Sequence, residues 1–428
     1  MPRERLILFT RYPVAGKAKT RLIPAIGAEA AADTQRELTE LTLHRAKALA
    51  IARGVGIEVS YEGGDAKLMR DWLGPMPRYT PQGEGDLGQR LTRAVRDAFD
   101  NAAESVVIIG ADCPRLDVHT LQNAFDALRG NDVVFGPAQD GGYYLVGLRK
   151  PMPALFQGIP WSTSSVLAES LNVARAGGQE PTLLTTLPDV DEPADLADWQ
   201  ILKSDLQRIS VIVPTLNEAA HLPETLRHVA DAEPHEIIIA DGGSTDASLE
   251  IATEAGARIV HSERGRGVQM NAGASAANGE LLFFLHADTL PPPDYADAIR
   301  ETLSSPQNIA GAFHFSLRDP RPAGAAIIEK FTAWRSKWRP LPYGDQGIFI
   351  RRSAFEALGQ FPKWPMLEDI EFIRHARRYG RVVIHPAAVQ TSARRWKQHG
   401  AIRTFLRHQM ILLGYYAGVL PSREDRVR

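Results

Sequence analysis

The chain has 428 residues, 44% hydrophobic and 23% charged, with a formal net charge of -2, a balance that belongs to a soluble globular protein and excludes a disordered or fibrous one. Two or three domains are expected, and a nearly neutral chain has no overall attraction for nucleic acid, so any anionic ligand must be held by a local cluster. The single cysteine, Cys113, excludes an internal disulfide and a cysteine-rich metal site; with no export signal at the N-terminus and no run near the roughly 18 apolar residues of a membrane span, a cytoplasmic location is expected.

The first element is a short β-prone run, Arg5 to Phe9, followed by Pro13-Val14-Ala15-Gly16-Lys17-Ala18-Lys19-Thr20-Arg21-Leu22. Three cations beside a glycine can neutralise a di- or triphosphate, although the spacing is not that of a Walker A loop and a solvated basic loop reads equally well. A helix is predicted over Ala28 to Arg53. The apolar run Ser105 to Ile109 then leads into Gly110-Ala111-Asp112, placing an acid at the carboxyl end of a strand, where open α/β sheets bind ligands. Asp140-Gly141-Gly142-Tyr143-Tyr144 and Asp189-Val190-Asp191 add acidic turns. Cys113 reads as a small buried apolar residue rather than a nucleophile, because its motif holds no histidine.

After an acidic helix-like stretch from Pro193 to Leu202, a joint is expected near Asp205 to Arg208, and the pattern begins again. The strand Ile209 to Val213 runs into Pro214-Thr215-Leu216-Asn217-Glu218, and a helix is predicted over Leu222 to Asp231. The strand Glu236 to Ala240 ends at Asp241-Gly242-Gly243-Ser244-Thr245-Asp246, whose glycines permit tight turning and leave Asp241 free to accept hydrogen bonds from a base or ribose. Each turn alone reads as well as an ordinary capped helix start; two in one domain are harder to dismiss. Arg264-Gly265-Arg266-Gly267 offers guanidinium forks for phosphate. The strand Leu281 to Leu285 ends at His286-Ala287-Asp288, a carboxylate and an imidazole suited to a divalent cation. Gly344-Asp345-Gln346-Gly347 echoes the turn at Asp140, and Leu367-Glu368-Asp369 precedes a helix predicted over Ile370 to Tyr379. The alternation gives an α/β protein of two related domains, 1–205 and 209–396, with a tail over 397–428.

On Pro214-Thr215-Leu216-Asn217-Glu218, Asp241-Gly242-Gly243-Ser244-Thr245-Asp246, His286-Ala287-Asp288 and Leu367-Glu368-Asp369, the second half resembles the family 2 glycosyltransferases of GT-A fold. The resemblance implies a nucleotide-sugar donor, with Glu218 and Asp241 holding the nucleoside alongside Pro214, Thr215, Asn217 and Gly243. It also implies Asp288 on Mg2+ or Mn2+ and Asp369 as general base; Glu368 beside it can orient either Asp369 or the acceptor, and Arg266 is the candidate for the phosphates. Asp345 and Gln346 are candidates for the acceptor, a hydroxyl compound that is either lipid-linked or a small metabolite. A single carboxylate base with direct displacement implies inversion at the anomeric carbon. The QxxRW motif of processive relatives is absent in strict form, since Ser392 stands three residues before Arg395, so single-sugar transfer is expected.

The first half resembles a bacterial GT-A glycosyltransferase-like family that is also similar to small nucleotidyltransferases. That resemblance rests on Gly16-Lys17-Ala18-Lys19-Thr20-Arg21-Leu22, Gly110-Ala111-Asp112-Cys113-Pro114, Asp140-Gly141-Gly142-Tyr143 and Asp189-Val190-Asp191. It implies that Lys17, Lys19 and Arg21 bind phosphates and that Asp112 is a metal ligand. Three roles stay open for this half: sugar transfer, nucleotidyl transfer supplying an activated precursor, and noncatalytic nucleotide binding. Proteins resembling both halves are labelled arsenosugar-biosynthesis glycosyltransferases, which offers a substrate clue. In the tail, Ile402, Phe405, Leu406, Met410, Leu413 and Tyr416 recur at helical spacing behind Arg394, Arg395, Lys397, Arg403 and Arg407. Such a helix either lies peripherally on an anionic membrane or packs against the second domain.

Overall fold

The computed structural model describes residues 2–318, 329, 341–394 and 410–418, and the chain divides into two compact units, Met1–Lys203 and Ser204–Arg428. In the first, seven strands form one sheet: β1 (Glu4–Arg11), β2 (Gly56–Glu62), β3 (Arg78–Pro81), β4 (Ser105–Gly110), β5 (Val133–Pro137), β6 (Tyr143–Leu148) and β7 (Thr182–Leu183). Their order is β3-β2-β1-β4-β6-β5-β7. The first four run parallel, β6 runs antiparallel to both β4 and β5, and β7 is parallel to β5. Leu6, Ile7 and Leu8 of β1 are all fully buried, because apolar side chains of a central parallel strand face covered surfaces on both sides. Leu6 and Leu8 pack under α1 (Ala28–Arg53), while Ile7 packs on the other face with Leu91 and Val95. The α1 helix keeps its predicted bounds and stops at Gly54, whose φ of 77° suits a residue without a Cβ.

The second unit builds an eight-stranded sheet from β8 (Ile209–Thr215), β9 (Glu236–Asp241), β10 (Arg258–His261), β11 (Leu281–Phe284), β12 (Thr289–Leu290), β13 (Asn308–Leu317), β14 (Ile348–Arg351) and β15 (Arg381–Thr391). The order is β10-β9-β8-β11-β14-β13-β15-β12. With β12 set aside as an added edge strand, each unit counted from its own first strand reads 3-2-1-4-6-5-7, with the same strand directions throughout. The echoes in the sequence therefore mark equivalent places: Asp112 and Asp288 follow the fourth strand, and the turns at Asp140 and Asp345 precede the sixth. Phe283, Phe313, Phe349 and Tyr295 form the buried aromatic centre of the second unit.

Three expectations change. The acidic stretch after Pro193 is a helix over Leu196–Leu206 that runs through the expected start of the joint. The helix expected from Ile370 instead spans Glu368–Ala376 (α2), so Glu368 and Asp369 occupy its first turn rather than the loop before it. In the tail, Met410, Leu413 and Tyr416 are exposed and Tyr415 packs inward, its hydroxyl donating to Glu371. Arg395, Lys397, Ile402, Arg403, Phe405, Leu406 and Arg407 lie outside the described residues. No described helix is long and apolar enough to cross a membrane.

Candidate functional site

In the second unit the turns after β8 and β9 are sewn together. Thr215 pairs in register with Asp241. Asn217 adopts a φ of 55°, its backbone N–H donates to Ser244 Oγ at 3.0 Å, and its Oδ1 accepts from Thr245 N at 2.8 Å. Glu218 N donates to Ser248 Oγ at 2.9 Å, and its carboxylate receives Arg394 Nη2 at 3.1 Å. Asp241 is only 2% exposed, and its oxygens accept from Gly243 N and Ser244 N, both at 3.0 Å. Burial raises its pKa, yet the hydrogen bonds from Ser244 and Gly243, with His261 beside them, outweigh burial and hold the carboxyl below its usual range. Asp241 thus anchors the turn, and two N–H groups of its own chain already sit on the oxygens that the sequence offered to a base or ribose.

A residue missed in the sequence ties this turn to the catalytic candidates. Gln269 lies in the helix Arg266–Ala276 (α3) and is buried; its Nε2 donates to Thr215 O at 2.8 Å and Ala240 O at 2.9 Å, clamping the ends of β8 and β9. At the first position of α3, Arg266 Nε donates to Glu368 Oε1. Gly267 follows because a Cβ there would lie 2.8 Å from Pro362 O and 3.3 Å from Glu368 Cγ. Glu368 is fully buried; burial and the neighbouring Asp369 raise its pKa, and Arg266 opposes them. Arg266 is therefore engaged with Glu368, and Glu368 positions the start of α2 rather than facing a ligand.

Asp369 accepts from Gly344 N at 2.5 Å through Oδ2 and from Ile370 N at 2.8 Å through Oδ1. Two N–H donors fix the carboxylate's plane while leaving each oxygen a second lone pair. A Cβ on Gly344 would lie 3.0 Å from His286 Nε2 and 3.1 Å from Asp369 Oδ2, so His286, Gly344 and Asp369 meet. Asp288 joins them through the sheet edge. Thr289 Oγ1 pairs with Thr391 Oγ1 at 3.0 Å, Thr391 Oγ1 donates to Asp345 O at 3.1 Å, and Ser392 N donates to Asp288 O at 3.0 Å. Asp345 also faces Arg266 closely enough to add to the rise in the guanidinium's pKa. Gln346 is fully buried, its amide bonded to Phe313 O at 3.0 Å and Tyr343 N at 3.1 Å; it props the turn, while Asp345 beside it is half-buried. Arg266, Glu368, Asp369 and Asp345 thus lie near one another at the start of α2.

Asp288 offers a cation one protein carboxylate. Among the described residues its half-buried carboxylate has no ion pair and hydrogen-bonds only with Thr289 Oγ1, at 3.5 Å. No group of three or more His, Cys, Asp or Glu side chains among the described residues is placed to hold a metal ion. One protein carboxylate, with phosphates and water completing the shell, is the usual arrangement for Mg2+ on a phosphorylated substrate.

The first unit holds a cavity of about 1020 Å³ over the carboxyl ends of β1 and β4, lined by the basic residues Arg11, Arg21 and Arg90 and by Asp112, Asp140 and Asp189. Lys19, expected on a phosphate, is buried with its side chain 5% exposed and paired with Asp112 and, at 2.7 Å, with Asp191. Burial lowers its pKa, but the two carboxylates outweigh burial and raise it. Asp112 therefore does not fit the metal role given it by sequence: its cation is an ammonium from the same chain. Lys17 is exposed on the outside of the loop and does not line the cavity. Asp189 is raised to about 6 by burial and then by Asp140. Burial also pushes the Cys113 thiol above its usual range, in line with a packed, unreactive cysteine.

Comparison with known proteins follows the same division. Residues 210–359 match the family described as Glycosyl transferase family 2, and residues 44–163 match one described as an uncharacterized protein conserved in bacteria, DUF2064. A PGL/p-HBAD biosynthesis glycosyltransferase of Mycobacterium bovis is 43% identical over 177 residues, covering 38% of this chain and 67% of that protein. An undecaprenyl-phosphate 4-deoxy-4-formamido-L-arabinose transferase of Aeromonas hydrophila is 28% identical over 170 residues, 36% of this chain and 52% of that protein; the chain spans about half the length of this relative. Among solved structures, glucosyl-3-phosphoglycerate synthase from Mycobacterium tuberculosis, in complex with Mn2+, uridine-diphosphate and glucosyl-3-phosphoglycerate, is 20% identical with a TM-score of 0.33, covering 45% of this chain and 74% of that one.

Proposed function

The chain belongs to glycosyl transferase family 2 through its second unit, and we propose that it is a glycosyltransferase of two tandem GT-A units whose second unit moves one sugar from a nucleoside-diphosphate donor to a hydroxyl acceptor, with inversion. The observation that carries this reading is the placement of Asp369: a buried carboxylate in the first turn of α2, fixed by two backbone N–H groups and next to Glu368, which pairs with Arg266.

In this reading an Asp369 oxygen takes the acceptor hydroxyl's proton as that oxygen bonds to the anomeric carbon, and the bond to the diphosphate breaks on the opposite face, which inverts the centre. Asp288 would hold Mg2+ or Mn2+, whose charge would offset that of the departing diphosphate. The sewn turns after β8 and β9 form the floor for the nucleoside, with the backbone of Thr215 and Gly243 and the Glu218–Arg394 pair at its edge. Asp345 faces the acceptor side. One relative's name includes undecaprenyl phosphate, so lipid-linked acceptors merit testing before small metabolites. The arsenosugar resemblance contributes no substrate here.

A panel of nucleoside-diphosphate sugars, assayed for nucleoside diphosphate release with mass detection of the product, tests the reading. Inverted product formed by the wild-type chain and lost in Asp369→Asn with donor binding retained is the expected result; full activity in that variant removes Asp369 as the base.

A further inference from the structure

The two units repeat one strand order, each in its own sheet, and put an acid after the same strand, yet they treat that acid differently. Asp288 in the second unit has no ion pair among the described residues. Asp112 in the first receives the ammonium of Lys19, which also donates to Asp191 Oδ1 and to Val190 O, both at 2.7 Å. An ammonium has three N–H donors, and three oxygens of this chain take them. The backbone is bent to bring this about: Lys19 sits at φ 45°, ψ 48°, a left-handed conformation that costs a residue with a Cβ roughly 1 kcal/mol or more. A second tie, Val190 N to Asp112 O at 2.9 Å, holds the two acidic segments together around the lysine.

We propose that Lys19 is the resident cation of the first unit, so that this unit binds a phosphate-bearing ligand in its cavity without a divalent metal. A metal at Asp112 would share a carboxylate with an ammonium and be repelled by it. With all its donors taken, Lys19 also has none for a phosphate, and that work passes to arginines. Arg11 and Arg90 share the single carboxylate of Glu62, at 2.7 and 3.3 Å. Arg21 is 61% exposed and reaches no closer than 3.8 Å to Asp191. Three guanidinium forks around a cavity of about 1020 Å³ suit a ligand of nucleotide size. Acids line the same cavity, Glu62 beside Arg11 and Arg90 and Asp191 beside Arg21 among them.

The test uses the full chain carrying Asp288→Asn, which silences the second unit's cation. Mn2+ titration followed by electron paramagnetic resonance should give the same bound metal with and without a further Asp112→Asn change, and Lys19→Gln should add a Mn2+ site that Asp112→Asn removes. Calorimetry with inorganic pyrophosphate in EDTA should show binding that the double change Arg21→Ala and Arg90→Ala weakens about tenfold or more. Mn2+ bound through Asp112 while Lys19 is intact overturns the proposal. So does pyrophosphate that fails to bind in EDTA, or that binds equally well without the two arginines. The comparison of Asp112 with Asn in the presence of native Lys19 needs no change at the lysine, and therefore decides the matter even if Lys19→Gln does not fold.

Discussion

The two halves of this molecule set the same seven-strand arrangement to different uses, and the difference lies in what meets the acid beyond the fourth strand. In the first unit Lys19, delivered by a basic loop, closes on Asp112 and Asp191. In the second no described cation pairs with Asp288, and Arg266, carried by the segment after β10, pairs with Glu368 instead. The sheet fixes where an acid stands; the loops decide whether it is neutralised from within or kept for an outside cation.

The contrast breaks most sharply at Asp369. Asp369→Asn should lower the turnover number about 10³-fold, the usual worth of a positioned base, with the donor's dissociation constant unchanged by calorimetry. Next, EDTA should stop glycosyl transfer and Mn2+ restore it, with Asp288→Asn lowering the rate about 10²-fold or more, as expected when one charge on the leaving group goes uncompensated. Pyrophosphate binding by the first unit should survive the same chelation.

Arg266→Ala would leave Glu368 buried and unpaired, a loss of about 3 kcal/mol seen as a fall of several degrees in the melting temperature. Gly267→Ala is smaller: its methyl would meet Pro362 O at 2.8 Å, and the shift needed costs about 1 to 2 kcal/mol and should slow transfer by displacing α2. The smallest effect is in the first unit. Asp189 titrates near 6 when folded, against an ordinary 3.8, so the folded form binds its proton more tightly than the unfolded chain does. Its charge therefore costs stability above pH 6, and that cost disappears as the pH falls through 6 toward 4. Thermal melts of Asp189→Asn should show a higher transition at neutral pH and a weaker pH dependence across that window.

Much of this was legible in the sequence because strand-end chemistry is local. Apolar runs ending in Asp112, Asp241 and Asp288 mark carboxyl ends of strands without reference to the rest of the chain, and the helix from Ala28 to Arg53 announces its own stop at Gly54. What escaped was pairing over distance. Lys19 and Asp191 are 172 residues apart, and Arg266 and Glu368 are 102 apart; a cation in a loop reads as a phosphate ligand until the carboxylate that claims it is seen. Gln269 was hidden for another reason: nothing in an Ala- and Gly-rich helix says which polar side chain turns toward the gap between two strand ends. Asp241 looked free because its glycine turn was read as a space for ligand, whereas Gly243 and Ser244 bring their N–H groups back to it.

The role given to the second unit is tested most directly by single-turnover release of nucleoside diphosphate from a donor found in the panel, comparing the wild-type chain with Asp369→Asn at saturating donor and acceptor. Acceptor-dependent release that collapses in the variant while the bound-donor signal stays intact is the predicted result. Release at the wild-type rate from the variant would contradict it.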